Sequence, residues 1–129
     1  MAKSFMQMVE EARAEVDSLG PTEAQKRLAQ DPDALVVDVR DAADVASTGL
    51  APGSVNISLG MLPVKADQEL PQELRDPRLQ DRSLQLIITC QTGANAARGA
   101  KLLKDMGFTN VSLMDGGMQA WKAAGLPTE

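Results

Sequence analysis

Apolar residues recur along this chain in two alternating rhythms. Over residues 4–17, Phe5, Met8, Val9, Ala12 and Val16 fall on one helical stripe, with Glu10, Arg13 and Asp17 elsewhere. Gly20-Pro21 opens a second helix running to about Ala29, because proline suits the first helical position, where its missing N–H is no loss. After the turn Asp31-Pro32-Asp33 the rhythm changes. Residues 34–39 are a β-branched apolar run without polar alternation, the pattern of a strand covered on both faces. Residues 41–47 predict a short helix, and Gly49 with Pro52-Gly53 ends it before a small strand at 54–57. The stretch 59–82 holds Pro63, Pro71 and Pro77 among charges and reads as a loop carrying short helical pieces. Residues 84–89 predict another doubly covered strand, ending at Cys90. A helix over 95–106 puts Ala96, Ala100, Leu103 and Met106 inward and Arg98, Lys101 and Asp105 outward, with Gly107 closing it. A fourth strand at 110–114 and a last helix at 118–124, closed by Gly125 and Pro127, complete the pattern. Short buried strands alternating with helices predict an α/β fold, a parallel sheet with helices on both faces.

Composition narrows the chemistry. The chain has 129 residues, 43% of them hydrophobic and 24% charged, enough for one core and too few for two full domains. Its apolar runs are too short to span a bilayer, and Glu10, Glu11 and Glu15 near the start leave no apolar signal core, so the expectation is a cytoplasmic protein with no membrane partner. Thirteen Lys and Arg against eighteen Asp and Glu give a net charge of −5. With no basic run and only Phe5, Phe108 and Trp121 as aromatics, nucleic acid is not an expected partner. Histidine is absent and Cys90 is the single cysteine. Zinc sites of Cys and His, intrachain disulfides and Cys-His or Ser-His pairs are excluded, and no metal is expected. Any catalysis must run without imidazole.

Cys90 lies where an open parallel sheet binds its ligands, beyond the carboxyl ends of the strands. Gln91-Thr92-Gly93-Ala94-Asn95 follows, then a helix. Gly93 lets such a loop turn tightly, so that several N–H groups and the helix start can stabilise an anion on or beside the sulfur. From residue type and position alone, a small inert core cysteine and a nucleophile both stay open.

Four motifs carry a resemblance. They are Asp38-Val39-Arg40; Gly49-Leu50-Ala51-Pro52-Gly53-Ser54-Val55-Asn56-Ile57; Cys90-Gln91-Thr92-Gly93; and Asp115-Gly116-Gly117-Met118-Gln119-Ala120-Trp121 running on to Gly125-Leu126-Pro127. In this order, over roughly residues 18–127, the chain resembles a rhodanese-family domain, and residues 1–17 read as an N-terminal helical extension to a domain at 18–129. The resemblance implies a five-stranded parallel sheet with helices on both faces and sulfurtransferase chemistry at Cys90. The Cys90 thiolate would take the outer sulfur of thiosulfate or another sulfane donor and pass it, from a persulfide, to cyanide or a thiol. The backbone N–H groups of Gln91, Thr92, Gly93, Ala94, Asn95 and Ala96 would hold the charge, with Asp38 and Arg40 in support. No cofactor is implied beyond that persulfide. Implied partners are a small sulfur-containing anion or thiol persulfide, or a protein sulfur donor or acceptor; the oligomer expected is a monomer or a homodimer.

Some positions depart from the family pattern. Many members have arginine at the sixth loop position, counting Cys90 as the first; Asn95 stands here and removes a fixed positive charge, though asparagine caps helices well. Arg98 reads as a solvated surface residue. Thr92 offers either a substrate hydroxyl or a backbone cap, and Arg40 either a substrate contact or an ion pair. Asp44 is expected near the mouth, where it disfavours anionic donors, and Leu50 replaces a common histidine. Asp115, Gly116, Gly117 and Trp121 read as architecture, and Met61, Met106, Met114 and Met118 as core fillers. Two other readings remain beside a sulfurtransferase: a weak sulfur-carrier or regulatory module, and a phosphatase or arsenate reductase. The last is disfavoured, because those enzymes need a longer loop ending in arginine and the first arginine downstream is Arg98.

Overall fold

The computed structural model describes residues 2–129. Helix α1 (Phe5–Glu15) starts from a capping box in which Ser4 Oγ accepts the Gln7 N–H and the Gln7 side chain accepts the Ser4 N–H. The chain passes at once into β1 (Asp17–Leu19), then α2 (Pro21–Gln30), β2 (Leu35–Asp38), α3 (Ala42–Thr48), β3 (Val55–Asn56) and α4 (Leu62–Ala66). Two 3-10 turns, Gln72–Leu74 and Pro77–Leu79, precede β4 (Leu86–Thr89), α5 (Ala94–Asp105), β5 (Val111–Met114) and α6 (Gly117–Ala123). The five strands are all parallel in the order β1-β5-β4-β2-β3.

Apolar runs on β2, β4 and β5 serve two cores at once because alternate side chains leave opposite faces of a strand. Val37, Leu86, Ile88 and Leu113 point to one face, under α1, α4 and α5, through Val9, Ala12, Leu62, Ala66, Ala96, Ala97, Ala100 and Leu103. Val36, Ile87 and Met114 point to the other, under Ala24 of α2 and Met118 and Trp121 of α6. Trp121 is 1% exposed and its Nε1 donates to the Pro127 carbonyl at 2.8 Å, which ties the C-terminal segment to that face.

The five-stranded parallel sheet is as expected, but the helix expected over 4–17 ends at Glu15 and residues 17–19 form β1, where Asp17 and Ser18 are exposed and only Leu19 is buried, so its place beside β5 rests on backbone pairing rather than side-chain burial. Of the stripe on α1 only Val9 and Ala12 are buried, while Phe5 and Met8 are 44% and 38% exposed. Met61, at the turn into α4, is 44% exposed rather than a core filler, whereas Met114 and Met118 are buried as expected.

The stretch 59–82 is held by short-range polar bonds. Asp76 donates its N–H to the Lys65 carbonyl at 2.9 Å, and its carboxylate takes the Arg78 N–H at 2.9 Å and the Arg78 guanidinium at 2.9 and 2.7 Å. The Arg78 side-chain hydrogen bonds are the main cause that holds the Asp76 carboxyl below the usual aspartate value, against the opposing effect of burial. A carboxyl depressed in the folded state stabilises above the ordinary value of 3.8, and that stability is lost as pH falls through the lower folded value. Asp76→Asn is expected to cost about 1 kcal/mol at neutral pH, since the Arg78 side chain is largely solvated. Urea unfolding of both proteins checks it: the difference between them should narrow as pH falls below 3.8.

Candidate active site

Strands β2 and β4 run side by side and end together, with Asp38 opposite Thr89 and the Val39 N–H donating to the Thr89 carbonyl at 2.9 Å. Arg40 and Cys90 therefore leave the sheet at the same edge. Immediately after Cys90 the chain folds back on itself through Gly93, whose φ of 101° lies in the left-handed region that glycine adopts freely. That turn sends the Gly93 N–H to Cys90 Sγ at 3.0 Å, and the first turn of α5 sends the Ala96 N–H there at 3.3 Å. Cys90 is 4% exposed, and its sulfur accepts these two backbone hydrogen bonds.

The other loop residues have separate tasks. Among the described residues the sulfur takes hydrogen bonds from Gly93 and Ala96 only, a smaller cradle than the run Gln91–Ala96 implied. Gln91 anchors the loop, accepting from Arg40 Nη1 at 3.2 Å on its side chain and from the Gln119 N–H at 3.0 Å on its carbonyl. Thr92, Ala94 and Asn95 line the pocket in front of Cys90. Asn95 does not cap α5, because the helix starts one residue earlier and Gly93 takes the cap position; its Oδ1 instead accepts from Arg98 Nη1 at 3.3 Å. Arg98 lies over the Phe5 ring, 5.7 Å from its centroid.

Asp38 and Arg40 form a buried pair, 0% and 4% exposed at their side chains, with Arg40 Nη2 at 2.7 Å from Asp38 Oδ2. Arg40 also binds Thr48 Oγ1 at 2.6 Å and the Gly49 carbonyl at 2.8 Å. Asn56 Nδ2 donates to the carbonyls of both Asp38 and Arg40, at 3.0 and 2.9 Å. A buried charge pair survives only when its remaining donors are satisfied, as here. It fixes the β2–α3 junction that forms one side of the pocket.

Two contributors were missed in the sequence. The start of α6 grips the loop from behind: the Met118 N–H donates to the Cys90 carbonyl at 2.7 Å, and Gly117 packs so closely that a Cβ there would stand 2.7 Å from the Gln91 carbonyl carbon. The glycine pair ahead of a helix was the available signal. Arg13 of α1 is the second; Nη1 binds Asp115 at 2.9 Å and Nη2 lies 3.1 Å from where a Cβ on Gly93 would sit. Nothing in local periodicity separates Arg13 from any other polar-face residue.

The pocket over Cys90 encloses about 520 Å³. Asp41, Asp44, Ser47 and Thr48 of the α3 segment line it, together with Phe5 of α1, Val39, Arg40, and Leu59-Gly60. This is room for a small molecule beside the Cys90 sulfur.

A family model described as the Rhodanese-like domain matches residues 20–124. The chain belongs to the rhodanese family. A sulfurtransferase of Allochromatium vinosum is 29% identical over 112 residues, which covers 87% of this rhodanese chain and 94% of that relative. Among solved structures, a polysulfide-sulfur transferase homodimer from Wolinella succinogenes superposes with a TM-score of 0.77 at 29% identity, covering 97% of this chain and 86% of that one. A Rhodopseudomonas palustris protein of unknown function, described as a possible tyrosine phosphatase, superposes at 0.91 with 29% identity, over 100% and 96% of the two chains. Among the described residues no helix is long and apolar enough to cross a membrane.

Proposed function

We propose that this rhodanese-family protein is a sulfurtransferase that carries sulfur on Cys90. The observation that supports it most directly is Sγ in the pocket with two backbone N–H donors on it. In the first half-step the thiolate attacks the outer sulfur of thiosulfate; the S–S bond of the donor breaks, sulfite leaves with the electron pair, and Cys90 becomes a persulfide anion. In the second, cyanide or a thiolate attacks that outer sulfur and Cys90 leaves as thiolate. The Gly93 and Ala96 N–H groups face Sγ, which bears the charge as thiolate before the first half-step and after the second, while in the persulfide the charge lies on the outer sulfur; no metal or organic cofactor is required. Intact-protein mass after incubation with thiosulfate should rise by about 32 Da and fall back on adding cyanide. No adduct from thiosulfate or from glutathione persulfide would overturn the reading.

The Rhodopseudomonas palustris neighbour is the one observation that favours dephosphorylation instead. Against it, the cation lining this pocket, Arg40, is already bound to Asp38, Thr48, Gln91 and Gly49, and Asn95 supplies no charge to a phosphate dianion. Hydrolysis of p-nitrophenyl phosphate by wild type, absent in Cys90→Ala, would reverse that choice.

Asn95 lines the pocket from the first turn of α5, so an arginine there would add positive charge beside the donor. Asn95→Arg is expected to raise kcat/KM for thiosulfate by about tenfold. Steady-state thiocyanate formation at low and high salt checks it, and the gain should shrink as salt rises.

A further inference from the structure

This inference rests on the sulfurtransferase reading and concerns what keeps Gly93 on the sulfur. The Gly93 N–H reaches Cys90 Sγ at 3.0 Å from a turn with a φ of 101°, and the face of that turn where a side chain would stand is crowded. A Cβ on Gly93 would lie 3.1 Å from Arg13 Nη2, 3.3 Å from the Gly116 nitrogen and 3.8 Å from the Met114 carbonyl oxygen. Asp115 stands between those last two residues in the chain, and its Oδ1 takes Arg13 Nη1 at 2.9 Å. One guanidinium thus backs the Cys90 loop with one arm and holds the β5–α6 junction with the other. Arg13 belongs to α1, ahead of the rhodanese-like span 20–124, and α1 is itself fixed: Val9 and Ala12 are buried in the core, and Lys104 of α5 donates to the Glu15 carbonyl. Arg13 does not line the pocket. The Arg13–Asp115 pair is 36% and 58% exposed at its side chains, so it adds little to folding stability. What it can supply is geometry.

We infer that Arg13 is a positioning residue for sulfur transfer: it keeps the Gly93 turn set so that its N–H meets Sγ. The step that needs this most is unloading. In the first half-step charge leaves Sγ as the persulfide forms. In the second, cyanide or a thiolate attacks the outer sulfur, the S–S bond breaks and its electron pair goes to Sγ. Cys90 leaves as thiolate, and thiocyanate or the acceptor's own persulfide departs. Charge then develops on the atom that Gly93 faces, and a donor shifted away from it stabilises the transition state less. Atoms and charge balance without an oxidant or reductant.

The test uses wild type, Arg13→Gln, Asp115→Asn and the double variant, all expected to unfold in urea close to wild type because the pair is solvated. Each is loaded from thiosulfate or glutathione persulfide, freed of donor, and unloaded by cyanide or by 2-mercaptoethanol, with both half-steps timed by intact mass. Unloading of Arg13→Gln is expected to be about tenfold slower than wild type with either acceptor, and loading slower by no more than about twofold. Asp115→Asn should slow unloading less, and the double variant no more than Arg13→Gln, since the two side chains act as one unit. In nitrogen-15-labelled protein the Gly93 amide resonance should move in Arg13→Gln before any sulfur is added, a readout independent of turnover. Unloading within about twofold of wild type, equal slowing of both half-steps, a loss seen with one acceptor only, or an unmoved Gly93 amide overturns the inference and leaves the sulfurtransferase reading standing. A wild-type Cys90 that takes sulfur from neither donor overturns that reading and the inference with it.

Discussion

Cys90→Ala is expected to lower thiosulfate:cyanide turnover by a factor of about 1,000 or more, because it removes the atom that carries sulfur between the two half-steps. The fold should survive. Cys90 is buried, yet it sits at the end of β4 where the pocket opens, and alanine fills the same backbone position without strain. What is lost is the acceptor for the Gly93 and Ala96 N–H groups, at 3.0 and 3.3 Å. Leaving them to pocket water costs about 1 kcal/mol, a few degrees in Tm. Cys90→Ser separates the effects: the hydroxyl still accepts, so stability should recover while turnover stays lost. Initial rates and intact mass with thiosulfate, beside thermal melts, give the answer. Turnover near wild type in either variant would remove Cys90 as the nucleophile.

What the sequence made legible follows from where each signal lives. Strands β2, β4 and β5 were readable because both faces are covered, so every position had to be apolar or nearly so. Strand β1 was not, because its Asp17-Ser18 pair is exposed and its pairing to β5 runs through the backbone, which leaves no hydrophobic trace. Cys90 and Gly93 were legible as a strand end followed by a turn residue. The division of labour within the loop was not: which amides reach Sγ depends on α5 starting at Ala94 rather than one residue later, a shift that no periodicity resolves. Asp38 and Arg40 stand at the end of β2, but that all of Arg40's donors are used is a property of Thr48, Gly49 and Gln91 arriving from elsewhere in the chain. The role of α1 was the least legible. Phe5 reaches the pocket and Arg13 the back of Gly93, and both contacts depend on how the helix is set against α5.

Gly117→Ala should show how far the loop depends on what lies behind it. Gly117 has a φ of 60°, which a side chain adopts at a cost, and a Cβ there would collide with the Cys90 carbonyl oxygen and stand 2.7 Å from the carbonyl carbon and oxygen of Gln91. Those are backbone atoms, so neither partner can rotate away; the loop or α6 must move. The same segment carries the Met118 and Gln119 N–H bonds to the Cys90 and Gln91 carbonyls, at 2.7 and 3.0 Å, and these would stretch together. A loss of about 3 kcal/mol in unfolding free energy is expected, with kcat/KM down by about 100-fold even where the protein is fully folded. Urea titrations give the first figure, and rates measured well below the unfolding midpoint give the second. Gly53→Ala is the fitting control, since Gly53 also has positive φ, at 76°, but a Cβ there meets nothing within 4 Å. It should cost about 1 kcal/mol in stability and leave the rate near wild type. If Gly117→Ala behaved like that control, the grip of α6 on the Cys90 loop would have no part in positioning the sulfur.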